Sequence, residues 1–153
     1  MSRLGLAVFS FFSFLSLNVQ ARANDLISVK SIRPVKETLD RLQKIVTDDG
    51  YSVVARVPHS DAAKQAELDL RPTELMIFGQ PRSGTPIMVC NQSAGIDLPL
   101  RALAWKDQEG QVWLAMVDPQ VLKQRYELGA ECDGAIVKMT GAVKALLANA
   151  TAP

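Results

Sequence analysis

The sequence predicts one globular domain in which short strands and amphipathic helices are interspersed. Three observations carry this. The 153 residues are 48% apolar, 22% charged and 6% aromatic, as in a packed domain and unlike a disordered or fibrous chain. An alternating run, an amphipathic run and a second alternating run follow one another near the front as strand, helix and strand. Two further strand-like runs flank a short turn, and a last apolar-striped helix closes the chain.

The first strand spans about Leu26 to Ile32, where Ile27 and Val29 mark one face. A helix from about Pro34 to Asp49 places Val35, Leu39, Leu42, Ile45 and Val46 at helical spacing, with Pro34 in its first turn and Gly50 as terminator. Tyr51, Val53, Ala55 and Val57 alternate in a half-buried strand that Pro58 ends. Ser60 and Asp61 are suited to cap a short helix reaching Glu67. Glu74 to Phe78 forms a strand stopped by Gly79, and Gln80-Pro81-Arg82-Ser83-Gly84 has the composition of a turn. Thr85-Pro86 resembles a cap followed by a first-turn proline, predicting a short helix from Ile87 to Asn91. Leu100 to Lys106 and Gln111 to Val117 flank Asp107-Gln108-Glu109-Gly110 as a hairpin. Asp118-Pro119 introduces a helix bearing Val121, Leu122 and Tyr126; Ile136, Met139, Val143, Leu146 and Leu147 stripe the last helix, with fraying expected beyond Asn149.

Residues 1–23 read as a secretory signal peptide: Met1-Ser2-Arg3 is basic, Leu4 to Leu17 is apolar, and Ala21-Arg22-Ala23 has the small-x-small form of a cleavage site. A retained anchor would need roughly 20 apolar residues, and Asn18 and Gln20 cut the run short. Cleavage after Ala23 removes two arginines and no acid, leaving residues 24–153 as one domain of 130 residues with 15 basic and 16 acidic groups, a formal charge of −1. The expected product is exported, periplasmic or secreted, and has no membrane segment after cleavage. A near-zero charge lacks the basic excess with which a nucleic-acid binder displaces phosphate counterions. One histidine and two cysteines cannot build a zinc finger or a multi-cysteine iron–sulfur site, and no cofactor is expected. In an oxidising compartment Cys90 and Cys132 form a disulfide, closing a loop of roughly 40 residues worth about 3 to 4 kcal/mol, or else Cys90 packs as a free thiol beside Ile87, Met88 and Val89.

The segment Arg71-Pro72-Thr73-Glu74-Leu75-Met76-Ile77-Phe78-Gly79-Gln80-Pro81, then Gly84-Thr85-Pro86-Ile87-Met88 and Ile96-Asp97-Leu98-Pro99-Leu100-Arg101, resembles the DUF302 family of unknown function. His59, the Trp105-Lys106-Asp107 and Gly110-Gln111-Val112-Trp113 hairpin, and Asp118-Pro119 are similar to the same family, so the resemblance spans about Leu26 to Leu128. It implies an α+β two-layer sandwich, an antiparallel sheet covered by helices, often found as a homodimer and without an established activity. Gln80 and Arg82 depart from the Asn and Lys expected there, and the stretch after Gly129, with Cys132, lies outside the likeness.

These residues suggest a pocket for an anionic or carbonyl-bearing small molecule. The Gly79 to Thr85 loop offers convergent backbone amides and a helix start, Arg71 and Arg82 offer charge-assisted contacts, and His59, Thr73, Glu74 and Asp97 complete the expected ligand-binding set with Arg71, Gly79, Gly84 and Thr85. The plainer alternative makes the loop a turn and gives Glu74 and Asp97 arginine partners, Arg71 or Arg101. An enzyme alternative makes His59 a general base oriented by Glu74 or Asp97, with the Gly84-Thr85 amides stabilising an anion. It lacks a nucleophile, for no nucleophile elbow, phosphate loop or dinucleotide fingerprint occurs. A third alternative is a soft-metal site for copper(I) built from His59, Met76, Met88 and Cys90, although these sit on different faces of their elements. Trp105 and Trp113 are expected on paired strands, in the core or as one wall of the pocket.

Overall fold

The computed structural model describes residues 25–153; the signal-peptide segment lies outside the described residues. The described chain is α+β: five antiparallel strands form one sheet in the order β1-β5-β4-β3-β2, with helices packed on it. The strands are β1 (Leu26–Ser31), β2 (Ser52–Val57), β3 (Thr73–Gly79), β4 (Leu100–Lys106) and β5 (Val112–Val117). The helices are α1 (Val35–Asp48), α2 (His59–Gln65), α3 (Pro81–Cys90), α4 (Gln120–Arg125) and α5 (Asp133–Thr151), with 3-10 turns at Gln92–Asp97 and Ala130–Cys132.

Strand alternation decides which residues meet the helices. Met76, Phe78, Ala102, Ala104, Leu114 and Met116 project from the three central strands into a core shared with Val35, Leu39, Leu42 and Val46 of α1 and Val143, Leu146, Leu147 and Ala150 of α5. Ser31 and Thr38 are polar within this layer and satisfy each other through a 2.7 Å hydroxyl pair. The alternate residues point to the opposite face. There Trp105 and Trp113 lie opposite one another on β4 and β5, their rings stacked 6.4 Å apart, with Lys30 over the Trp113 ring. They are half-buried, so they belong neither to the helix-covered core nor to the pocket wall considered above.

A second apolar cluster fills one end of the molecule, where Ile87 of α3, Ala94, Leu122 of α4, Leu128 and Cys132 meet Ile136 and Met139 of α5. Here the structure departs most from the pattern in the sequence. Helix α3 begins at Pro81, not at Ile87, and carries Pro86 in its interior. Proline at the first position loses no hydrogen bond that a helix would use, and the second proline removes only one further donor, so Gln80-Pro81-Arg82-Ser83-Gly84 is a helix start rather than a free turn. Helix α2 begins at His59 behind Pro58, and no side-chain cap from Ser60 or Asp61 forms. The 3-10 turn after α3, capped by Asn91 through Ser93 N, has no apolar period by which to read it. Helix α5 does not fray after Asn149, because Ala150 and Thr151 are buried against the core.

Candidate functional site

An apolar cavity of about 280 Å³ opens at the end of the sheet where β2 begins and β3 ends. Five segments converge on it. Tyr51 and Val54 come from the start of β2, Gly79 from the end of β3, and Ser83, Gly84, Thr85 and Met88 from α3. Leu98, Pro99 and Leu100 enter from the connection to β4, and Met139 from α5.

The chain is shaped locally to leave this space. Pro99 packs so tightly on the backbone of Gly79 that an added Cβ would fall 2.9 Å from Pro99 Cβ, so β3 needs glycine at this point. Gly84, one turn into α3, leaves open the space beneath Leu98, whose Cδ1 would lie 3.6 Å from an added Cβ. Met88 is backed by Gly95, where a Cβ would approach its sulfur to 3.3 Å. Tyr51 packs edge-on against Phe78, with ring centroids 5.7 Å apart, and so joins the wall to the main core.

Of the residues expected from sequence to bind a ligand, Gly79, Gly84 and Thr85 line this cavity, and His59, Arg71, Thr73, Glu74 and Asp97 do not. The antiparallel register explains the separation. Gly79 pairs with Ser52 while Leu75 pairs with Val57, so the cavity lies at one end of β2 and His59 follows the other, about 17 Å away at strand spacing. His59 is exposed. Glu74 accepts from Arg56 Nε at 2.6 Å, and the same guanidinium reaches Asp40 on α1. Arg56, not Arg71, is therefore the partner of Glu74. It ties the sheet edge to α1 and holds the Asp40 carboxyl below its usual range, with Lys36 as the first contributor and itself as the second. Arg71 donates from Nε to the Lys106 carbonyl at 3.1 Å, and Thr73 donates its hydroxyl to the Arg71 carbonyl at 2.8 Å.

Asp97 is a structural hub. Its carboxylate accepts from Arg101 at 3.1 Å, Arg125 at 2.7 Å and the Tyr126 hydroxyl at 2.6 Å, joining the 3-10 turn, β4 and α4. Burial opposes its charge, but the Tyr126 and Arg125 hydrogen bonds and the two guanidinium charges outweigh burial and hold the carboxyl below the usual carboxylate range. His59 is not among the hydrogen-bond partners of either acid, so the geometry builds no histidine–carboxylate pair.

The copper alternative likewise finds no convergence, because Met76 is enclosed in the main core while Met88 faces the cavity. Cys90 is instead paired with Cys132, their Cα atoms 6.4 Å apart, which ties the end of α3 to the start of α5.

The residues missed from sequence as parts of the cavity are Tyr51, Val54, Met88, Leu98 to Leu100 and Met139. The legible trace was the pairing of glycines 79 and 84 with the apolar Leu98-Pro99-Leu100 run.

An antiparallel sheet carrying α1 and α5 on one face and the α3 end-cap over an apolar cavity defines a two-layer α+β sandwich. Residues 27–146 match the family described as "Domain of unknown function DUF302", and the chain belongs to that family. The fold is shared with a solved structure titled "Crystal structure of uncharacterized conserved protein DUF302 from Bacillus stearothermophilus", at a TM-score of 0.75 and 18% identity over 84% of this chain and 99% of that one. Among curated proteins, the chain is 46% identical over 114 residues to "Fluoride-specific ion channel FluC 1" of Brucella suis biovar 1 (strain 1330), covering 74% of this chain and 45% of that protein. It is equally similar to "Fluoride-specific ion channel FluC 2" of Brucella melitensis biotype 1, covering 42% of it. The chain thus spans less than half the length of the curated relatives it matches.

Proposed function

We propose that this chain is an exported domain that binds a small molecule in the cavity between α3 and the Tyr51 end of the sheet. The observation that carries this reading is the cavity itself: about 280 Å³, walled by five separate segments and kept open by glycine at 79 and 84. Sites for small ligands are concave, mostly apolar and furnished with a few polar groups. Tyr51, Gln80, Ser83 and Thr85 supply hydroxyl and amide groups suited to a carbonyl-bearing ligand. Export is supported by the amino-terminal sequence and by the paired cysteines, a bond that an oxidising compartment favours.

The fluoride-channel name belongs to proteins more than twice the length of the matched segment. No helix among the described residues is long and apolar enough to cross a membrane. Because the shared segment covers less than half of those proteins, we carry no ion transport from them to this chain.

Native mass spectrometry of protein purified from a periplasm, followed by denaturing mass measurement, tests this reading. A mass adduct lost on denaturation, with cleavage after Ala23, is the expected result. A bare protein that also fails to bind any member of a broad apolar fragment set would refute it.

A further inference from the structure

Given that the cavity is a ligand site, we infer that its ligand is uncharged: a compact apolar body with one hydrogen-bonding end. The apolar wall is supplied by Met88, Leu98, Leu100 and Met139, with the exposed Val54 at its rim. Among the described residues no Asp, Glu, Lys, Arg or His lines the cavity, so a charge buried against its apolar wall would lose its water without gaining a counter-charge. The helix start offers an anion little. Pro81 has no N–H, and the Ser83 and Gly84 amides both donate to the Gln80 carbonyl, at 3.1 and 3.3 Å, which leaves the Arg82 amide as the one first-turn donor without a backbone partner among the described residues. A single amide is not the converging set of donors that an anion needs. Tyr51, Ser83 and Thr85 are among the lining residues, and their hydroxyls make no hydrogen bond to another described residue, which leaves them available for a neutral oxygen such as a ketone or alcohol. Two methionine side chains in the wall adapt to linear or ring-shaped bodies alike.

The test compares eight-carbon probes of one shape and different charge: octan-2-one and octan-1-ol against octanoate and octylammonium, each titrated at neutral pH into the full mature protein and into Gly84→Val, with Gly84→Ala as a milder second variant. The neutral probes should bind at least tenfold more tightly than either ion, and both variants should weaken them in order of side-chain size while thermal unfolding shows each variant folded. Octanoate or octylammonium binding as tightly as the neutral probes, with the same sensitivity to Gly84, would overturn the inference and leave the cavity as a ligand site. Binding of no probe, or binding indifferent to both Gly84 variants, would overturn the ligand site and the inference together.

Discussion

The Pro99 ring rests on the backbone of Gly79, with an added Cβ falling 2.9 Å from Pro99 Cβ. No flexible side-chain end is available to move aside, so Gly79→Ala must displace the end of β3 or the start of β4. We expect a loss of about 1 to 3 kcal/mol, seen as a lower denaturation midpoint. An unchanged midpoint would show that this contact does not set the geometry of the cavity.

Gly84→Ala should behave in the opposite way. An added Cβ meets Leu98 Cδ1 at 3.6 Å, ordinary contact distance, inside a helix. Replacing an interior helical glycine should raise stability by about 0.5 to 1 kcal/mol while removing a methyl's volume from the cavity. Chemical denaturation and ligand titration on the same sample should show stability rising and affinity falling.

The Cys90–Cys132 pair encloses a sequence separation of 42 residues. In the chain-entropy account such a cross-link contributes about 4 kcal/mol. Calorimetry with and without reductant should show a large fall in melting temperature, and the Cys90→Ser, Cys132→Ser double variant should melt like the reduced protein and ignore reductant. If reductant leaves the native melting temperature unmoved, the cysteines are not bonded in the native protein.

Asp97 supplies the clearest pH dependence. Its carboxyl sits below the usual range in the folded protein, so the unfolded chain binds its proton at a higher pH than the folded one does. The stabilisation is complete above the unfolded carboxylate pKa, about 4, and is lost as pH falls from there through the lower folded value. Asp97→Asn leaves Arg101, Arg125 and Tyr126 facing a neutral amide, at a cost of about 1.5 to 3 kcal/mol near neutrality that shrinks as the wild type is acidified. A pH series of unfolding midpoints for both proteins measures this convergence.

His59→Ala should alter neither ligand affinity nor melting temperature, because the residue is exposed and lies beyond the opposite end of β2 from the cavity. From sequence alone, the same change is expected to weaken binding. A titration in which it does so would place the site at the other end of the sheet.

That reversal shows what linear sequence conveys here. The strands and α1 were legible because alternation and three- to four-residue spacing report directly on which face is buried; Ile27 with Val29, and Leu39 with Leu42, behave as their spacing predicts. The site was only partly legible. Arg71, Thr73 and Glu74 share one motif with Gly79, Gly84 and Thr85, but the seven-residue strand β3 has Thr73 at one end and Gly79 at the other and so carries the two groups to opposite ends of the sheet. Charged residues in a motif draw attention as ligands, whereas here Arg56, Arg101, Arg125 and Tyr126 already occupy the two acids. The cavity wall is made of apolar residues that look like ordinary core. Only tertiary packing brings Tyr51, Leu98 and Met139 together. Pro86 misplaced the start of α3 because a proline inside a helix and one in its first turn look alike in sequence.

The most direct test of the account uses the methionine methyl groups as reporters. Met88 and Met139 line the cavity, while Met76 and Met116 lie enclosed in the main core. With 13C-methyl-methionine protein, octan-2-one should shift the Met88 and Met139 resonances along one saturable binding curve and leave those of Met76 and Met116 nearly in place. Shifts confined to other residues, or no saturable shift at Met88 and Met139, would contradict the assignment of this cavity as the ligand site.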